Sequence, residues 1–163
     1  MTTIAATGHR PGKAGDYGRA SRLELTRLAR QGLREIGATK IITGMALGWD
    51  QAVAMAAFLN GIPFTAAIPF PGQENRWPER SQRFYTGLVE RAAEVVFVSD
   101  RFTSRAMQKR NEWMVDRADR MLALWDGNIG GGTANCIVYA ERKGVPFTNM
   151  WRRYRGDDFE SLL

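Results

Sequence analysis

Short apolar runs alternate with longer stretches of helical spacing along almost the whole chain. Residues 3–7, 40–43, 64–68, 94–98, 120–125 and 147–150 each read as a short buried strand bounded by glycine, proline or polar residues. Between the first two, Leu23, Leu25, Leu28, Leu33 and Ile36 recur at roughly helical spacing. Arg22, Arg27, Arg30 and Arg34 lie mostly on the other side; they suit DNA, and equally a solvated helix face. Gly37 is placed to cap that helix. Further helices are predicted over 51–59, 81–93 (with Ser81 as a candidate cap), 105–118 and 133–142. Strand then helix, repeated, implies right-handed βαβ units. The expected fold is α/β: a single domain over residues 1–150, with a mostly parallel sheet of about six strands and helices on both faces. Residues 151–163 form a charged tail, basic and then acidic, expected to pack on a partner subunit or to fray.

The turns carry the candidate chemistry. Thr43-Gly44-Met45-Ala46-Leu47-Gly48-Trp49-Asp50 runs from strand through glycine turn to helix. Such a turn offers free N–H groups and the positive end of a helix dipole to a phosphate, and it also suits an ordinary tight βα connection. Asp50 stands where a helix cap would, or where a ligand hydroxyl or amine would find an acceptor. Gly130-Gly131-Gly132-Thr133, after Asp126, is a second candidate phosphate cradle, with Asn135 close behind. The first βα turn holds Gly8, His9 and Arg10, whose planar guanidinium suits phosphate or carboxylate. Arg105, Lys109, Arg110 and Asn111 crowd the start of a helix at the same edge of the sheet. The Pro/Gly loop 69–78 has the makings of a lid, with Trp77 as an aromatic wall, or of a plain connection. Ligands of open α/β sheets bind at the carboxyl ends of strands, so these turns together point to a phosphate-bearing ligand.

Composition narrows the partners. The chain has 163 residues and a net charge of +6, which favours anions without choosing between a nucleotide and a nucleic acid. One cysteine, Cys136, excludes an internal disulfide and fits a reducing compartment. Residues 1–6 read as no secretory signal, and no apolar stretch approaches the ~20 residues of a membrane span. The expected location is the cytoplasm, away from membranes. One histidine and one cysteine far apart make a poor metal set, and nothing calls for a cofactor.

Gly44 to Asp50 resembles the G-[LM]-A-x-G-x-D motif of the DNA-processing protein A Rossmann domain. Met107-Gln108-Lys109-Arg110 through Met114, then Ala118-Asp119 and Gly131-Gly132-Thr133, resembles the signature run of the LOG, or lysine decarboxylase-like, proteins. Together these identify the chain as similar to the SLOG superfamily. Thr7-Gly8-His9-Arg10-Pro11 and Trp125-Asp126-Gly127 look most like its small YpsA-like members. The resemblance implies a nucleotide-binding Rossmann-like domain and a homodimer. Its LOG branch hydrolyses the N-glycosidic bond of nucleoside monophosphates with an arginine and a glutamate. The arginine matches Arg110; the glutamate position falls on Cys136, which carries no carboxylate, with Glu74, Asp50 or Asp126 as substitutes. Its DNA-processing branch binds single-stranded DNA. The expected function is therefore binding of a nucleotide or nucleotide-derived small molecule as a sensor or regulatory module. A LOG-like phosphoribohydrolase and a single-stranded nucleic-acid binder are the alternatives. The expected ligand set is Gly8, His9, Arg10, Gly44, Met45, Ala46, Gly48, Asp50, Arg105, Asp126, Gly130, Gly131, Gly132, Thr133 and Asn135, with Arg110 and Glu74 for catalysis.

Overall fold

The computed structural model describes residues 1–156. Six strands form one sheet: β1 (Thr3–Gly8), β2 (Lys40–Thr43), β3 (Phe64–Ile68), β4 (Glu94–Phe97), β5 (Arg120–Leu124) and β6 (Phe147–Asn149). Six helices follow them in turn: α1 (Arg19–Ile36), α2 (Trp49–Leu59), α3 (Glu79–Arg91), α4 (Ala106–Val115), α5 (Gly132–Arg142) and α6 (Trp151–Tyr154). The strand order is β4-β3-β2-β1-β5-β6 and every pairing is parallel. This is the Rossmann-like α/β fold expected from the pattern. Ser81 lies inside α3 rather than capping it, because the helix already starts after Pro78.

Successive residues of a strand face opposite sides of the sheet, and the two sides bury different helices. Ile4 and Ala6 join a core with Leu25 and Leu33 of α1, Val53 of α2 and Leu88 of α3. Ala5 joins Met114 and Val115 of α4 and Cys136 and Ala140 of α5 on the other side. The two helix sets arise because the chain first winds outward from β1 to β4, then crosses back to β5 on the other face. Trp49, fully buried, ties the start of α2 to β5 by donating Nε1–H to the Leu122 carbonyl at 3.1 Å.

Gly37 ends α1 in the left-handed region (φ 73) and donates its N–H to the Arg34 carbonyl at 3.1 Å. A Cβ there would touch nothing within 4 Å. Gly37→Ala therefore carries only the conformational penalty and lowers stability by about 1 kcal/mol in urea titration.

The start of the expected tail is helical: Arg153 of α6 donates to both carboxylate oxygens of Glu35 at 2.9 Å, and Trp151 sets its ring edge-on to His9 at 5.5 Å. The acidic end of that tail, 157–163, lies outside the described residues. No helix among the described residues is long and apolar enough to cross a membrane.

Candidate functional site

β1 leads to β2 on one side and its other neighbour, β5, leads to β6 on the opposite side. Connections diverging from adjacent strands leave a crevice at their carboxyl ends. A cavity of about 370 Å³ opens there. Gly8, His9 and Arg10 from the end of β1, Lys13, Ala46 and Asp50 line one side; Met107, Arg110, Asn111 and Met114 of α4 and the turn Gly130 to Thr133 line the other.

The α5 turn is the open end of a helix. Gly131 occupies the N-cap position, and no side chain of the described residues caps it. Gly130, Gly131 and Gly132 are exposed, and a Cβ on Gly132 would meet nothing within 4 Å. Unsatisfied N–H groups therefore face the cavity with the positive end of the helix dipole behind them. Asn111 steadies this turn by donating to the Gly132 carbonyl at 3.3 Å.

Two buried ionisable side chains, Arg110 and Asp50, also line the cavity. Arg110 is 5% exposed, donates Nη1–H to the Gly44 carbonyl at 2.6 Å, and donates Nε–H to Asn111 Oδ1 at 3.2 Å. Gly44 has no side chain because the guanidinium occupies the space a Cβ would fill. Asp50 is 5% exposed; its Oδ2 accepts the Ala46 N–H at 3.4 Å, and its Oδ1 has no partner among the described residues. Burial pushes the Asp50 carboxyl up to about 6, against the pull of Arg110. Burial also works against the Arg110 charge, and Asp50 restores part of it. Cys136 lies fully buried, its thiol pushed up to about 11, so it is a neutral core residue.

His9 and Asp126 hold two walls in register. His9 Nε2 accepts the Asp126 N–H at 2.9 Å, and burial lowers its pKa below the ordinary 6.5, so at pH 7 it is neutral. The 3.1 Å approach of Asp126 Oδ1 to that same nitrogen is therefore no ion pair at pH 7. Asp126 is held well below the usual carboxylate range, first by the Asn128 N–H, with Lys13 Nζ at 3.3 Å.

Several expected ligand residues stand elsewhere. The Gly44 to Gly48 turn has the sequence of a cradle, but the N–H groups of Met45 and Ala46, and of Trp49 just after it, are engaged within the protein. Met45 donates to Thr43 Oγ1, Ala46 to Asp50, and Trp49 to the His9 carbonyl. Met45 is fully buried with φ 61, and Gly48 packs against the backbone of His9. Only Ala46 and Asp50 of this stretch line the cavity. Asp50 sits inside α2, not at its cap, which is Gly48. Arg105 and Asn135 are exposed outside the cavity lining, Asp126 contacts His9 but is not in the lining, and Glu74 lines neither wall. Trp77 packs edge-on to Tyr85 at 5.4 Å and lies outside the cavity lining. Lys13, Met107, Asn111 and Met114 line the cavity without having been singled out as ligand residues. Lys13, three residues beyond Arg10 in the same basic turn, had a signal that could have found it. Among the described residues no three His, Cys, Asp or Glu side chains gather as a metal site.

Comparison with known proteins agrees with this fold. The chain is 30% identical over 138 residues to an uncharacterized SPbeta prophage-derived protein, YoqJ, of Bacillus subtilis, covering 74% of this chain and 80% of that protein. DNA processing protein A from Streptococcus pneumoniae superposes with a TM-score of 0.63 at 18% identity, covering 91% of this chain. The chain spans half the length of that protein, 50%. The Moco carrier protein from Chlamydomonas reinhardtii superposes with a TM-score of 0.56 at 14% identity, covering 99% of this chain and 83% of that one. At these identities the two structures share the fold. A family profile, YpsA, described as the YspA SLOG family, matches residues 23–145. With most of its length inside that match and the fold and motifs in agreement, the chain belongs to the YpsA family of the SLOG proteins.

Proposed function

We propose that the cavity at the β1/β5 crevice binds a nucleotide or nucleotide-derived small ligand, and that the protein serves as a sensor or regulatory module. The observation that carries this reading is the pairing of opposite needs in one cavity. An uncapped helix N-terminus with Arg10 and Lys13 asks for an anion, while Asp50 Oδ1 asks for a donor. A ribose phosphate offers both. The phosphate takes the N–H groups of the Gly130 to Thr133 turn and the charge of Arg10 and Arg110. A ribose hydroxyl, or an amino group of the base, donates to Asp50. A homodimer belongs to the same reading on the family resemblance, and a cytoplasmic location on the lone cysteine.

Native mass spectra after incubation with AMP, ADP-ribose and NAD test it. One nucleotide retained at intact mass is the expected result; a bare protein in every mixture sinks it. Single-stranded DNA is then the ligand to try, and its affinity should fall steeply with salt.

A second reading, N-glycoside hydrolysis, is favoured by one observation. Asp50 lines the cavity with its pKa near 6, the range suited to proton transfer at neutral pH, and Arg110 stands beside it. Asp50 would accept a proton from the attacking water as the base leaves. Free base and ribose phosphate, lost together in Asp50→Asn and Arg110→Ala, would establish this chemistry. Base release that survives both substitutions excludes it.

A further inference from the structure

The loop between β3 and α3 carries chemistry unused so far. A second cavity, of about 330 Å³, is lined by Phe70, Gly72, Gln73, Asn75, Arg76 and Phe102. Phe70 follows the carboxyl end of β3 and Phe102 follows that of β4, so it opens at the same edge of the sheet as the first. The two rings meet edge to face, with centroids 5.3 Å apart and planes at 78°. Phe102 is 70% exposed. One ring thus supports the other, and the outer ring presents a flat apolar surface to water.

Gln73 supplies an independent sign of a ligand. It is only 9% exposed, and its Nε2 donates to the Gly44 carbonyl at 3.3 Å. Its Oε1 is buried and makes no hydrogen bond of good geometry among the described residues, although the Tyr85 hydroxyl lies beside the amide. A buried amide oxygen left without a donor costs free energy, and a ligand N–H at this position recovers it. The Gly44 carbonyl also accepts from Arg110 of the first cavity, at 2.6 Å. Gln73 and Arg110 therefore meet on a single carbonyl, and the two cavities flank it. Arg76 adds a cation to the lining of the second cavity.

We propose that this second cavity is a base subsite for a second nucleotide unit. A planar nitrogenous base stacks on Phe102, an N–H of the base donates to Gln73 Oε1, and Arg76 pairs with the phosphate that links this unit to the nucleotide in the first cavity. The proposal rests on the nucleotide reading of the first cavity. The same chemistry serves a dinucleotide and a single strand of nucleic acid, since both present a second stackable base on a phosphate linker.

Titration calorimetry of the intact chain with AMP, NAD and a short oligodeoxyadenylate tests it. One of the two-base ligands should bind at least ~10-fold more tightly than AMP, the scale of one base stacked on an aromatic ring. Phe102→Ala should erase that gain and leave AMP affinity unchanged. Phe102→Trp should keep it. Because Phe102 is largely exposed, both variants should melt with the parent protein. The ligand that shows the Phe102-dependent gain names the source of the second base. AMP binding without any gain from a second base overturns the subsite and leaves the first cavity standing. A Phe102→Ala variant that loses AMP and two-base ligands equally also overturns it. Failure of all three ligands to bind overturns both readings.

Discussion

Asp50→Asn should make the protein more stable at pH 7.5 while weakening its hold on a nucleotide. The stability half follows from the direction of the pKa shift. Burial raises the Asp50 carboxyl from its ordinary 3.8 to about 6, so the folded chain holds this proton more tightly than the unfolded chain does. Its contribution to stability is full below about pH 4 and is lost as pH rises through about 6. Above that, the ionised carboxylate is a net burden, even after attraction to Arg110. At ~1.4 kcal/mol per pH unit, the displacement corresponds to on the order of 3 kcal/mol, an upper bound on what a neutral amide recovers. Urea unfolding from pH 4 to 8 should show stability falling through pH 6 in the parent and a flatter profile in the variant. Equal stability and equal slopes would place the charge in water and remove Asp50 from the site. The binding half follows from the orphaned Oδ1. A hydrogen bond from a ligand hydroxyl to an ionised carboxylate contributes ~1.5–3 kcal/mol, so the variant should bind roughly 10- to 100-fold more weakly. A residue that costs stability and returns affinity is what a binding site, rather than a core, retains.

Gly132→Trp should leave the fold alone and abolish binding. Gly132 is exposed at the first position of α5, with open space where a Cβ would stand. Its φ is not in the left-handed region, so a side chain brings no backbone strain. Surface substitutions of this kind usually change stability by less than ~0.5 kcal/mol. The indole, however, enters the space in front of the N–H groups that would cradle a phosphate. Losing two such charge-assisted hydrogen bonds removes ~3 kcal/mol or more, at least ~100-fold in affinity. Thermal melting and calorimetry with AMP read the two halves separately. An unshifted melting curve with undiminished binding would falsify the cradle and move the phosphate elsewhere along the sheet edge.

Most of the fold is legible in the sequence itself. Strands over 40–43 and 64–68 and the glycine end of α1 stand where the spacing puts them, because alternation, helical period and capping are local properties of consecutive residues. α2 starts at Trp49, two residues before the Gln51 that the spacing predicts. The candidate site was legible only in part. Arg10, Asp50, Arg110 and the Gly130 to Thr133 turn meet in one cavity, as their positions after successive strands suggested.

What the sequence could not decide was which of two similar glycine turns stays open. Gly44 to Gly48 and Gly130 to Thr133 both follow a strand and precede a helix. The first has the Met45 and Ala46 N–H groups engaged and its Gly44 carbonyl bound by Arg110, 66 residues away; the second lies exposed along the cavity, although neither helix start carries a side-chain cap. Likewise the sequence leaves Trp77 as an aromatic wall or a packed connection, and the fold packs it on Tyr85, while Phe70 and Phe102, 32 residues apart, make the exposed ring pair. The chain by itself determined an α/β sheet, its strand and helix segments and the edge on which chemistry gathers, because those follow from neighbours along the backbone. The orphaned Asp50 oxygen, the buried Arg110 and the open α5 turn were decided only by tertiary structure, because hydrogen-bond satisfaction and burial depend on groups far apart in sequence.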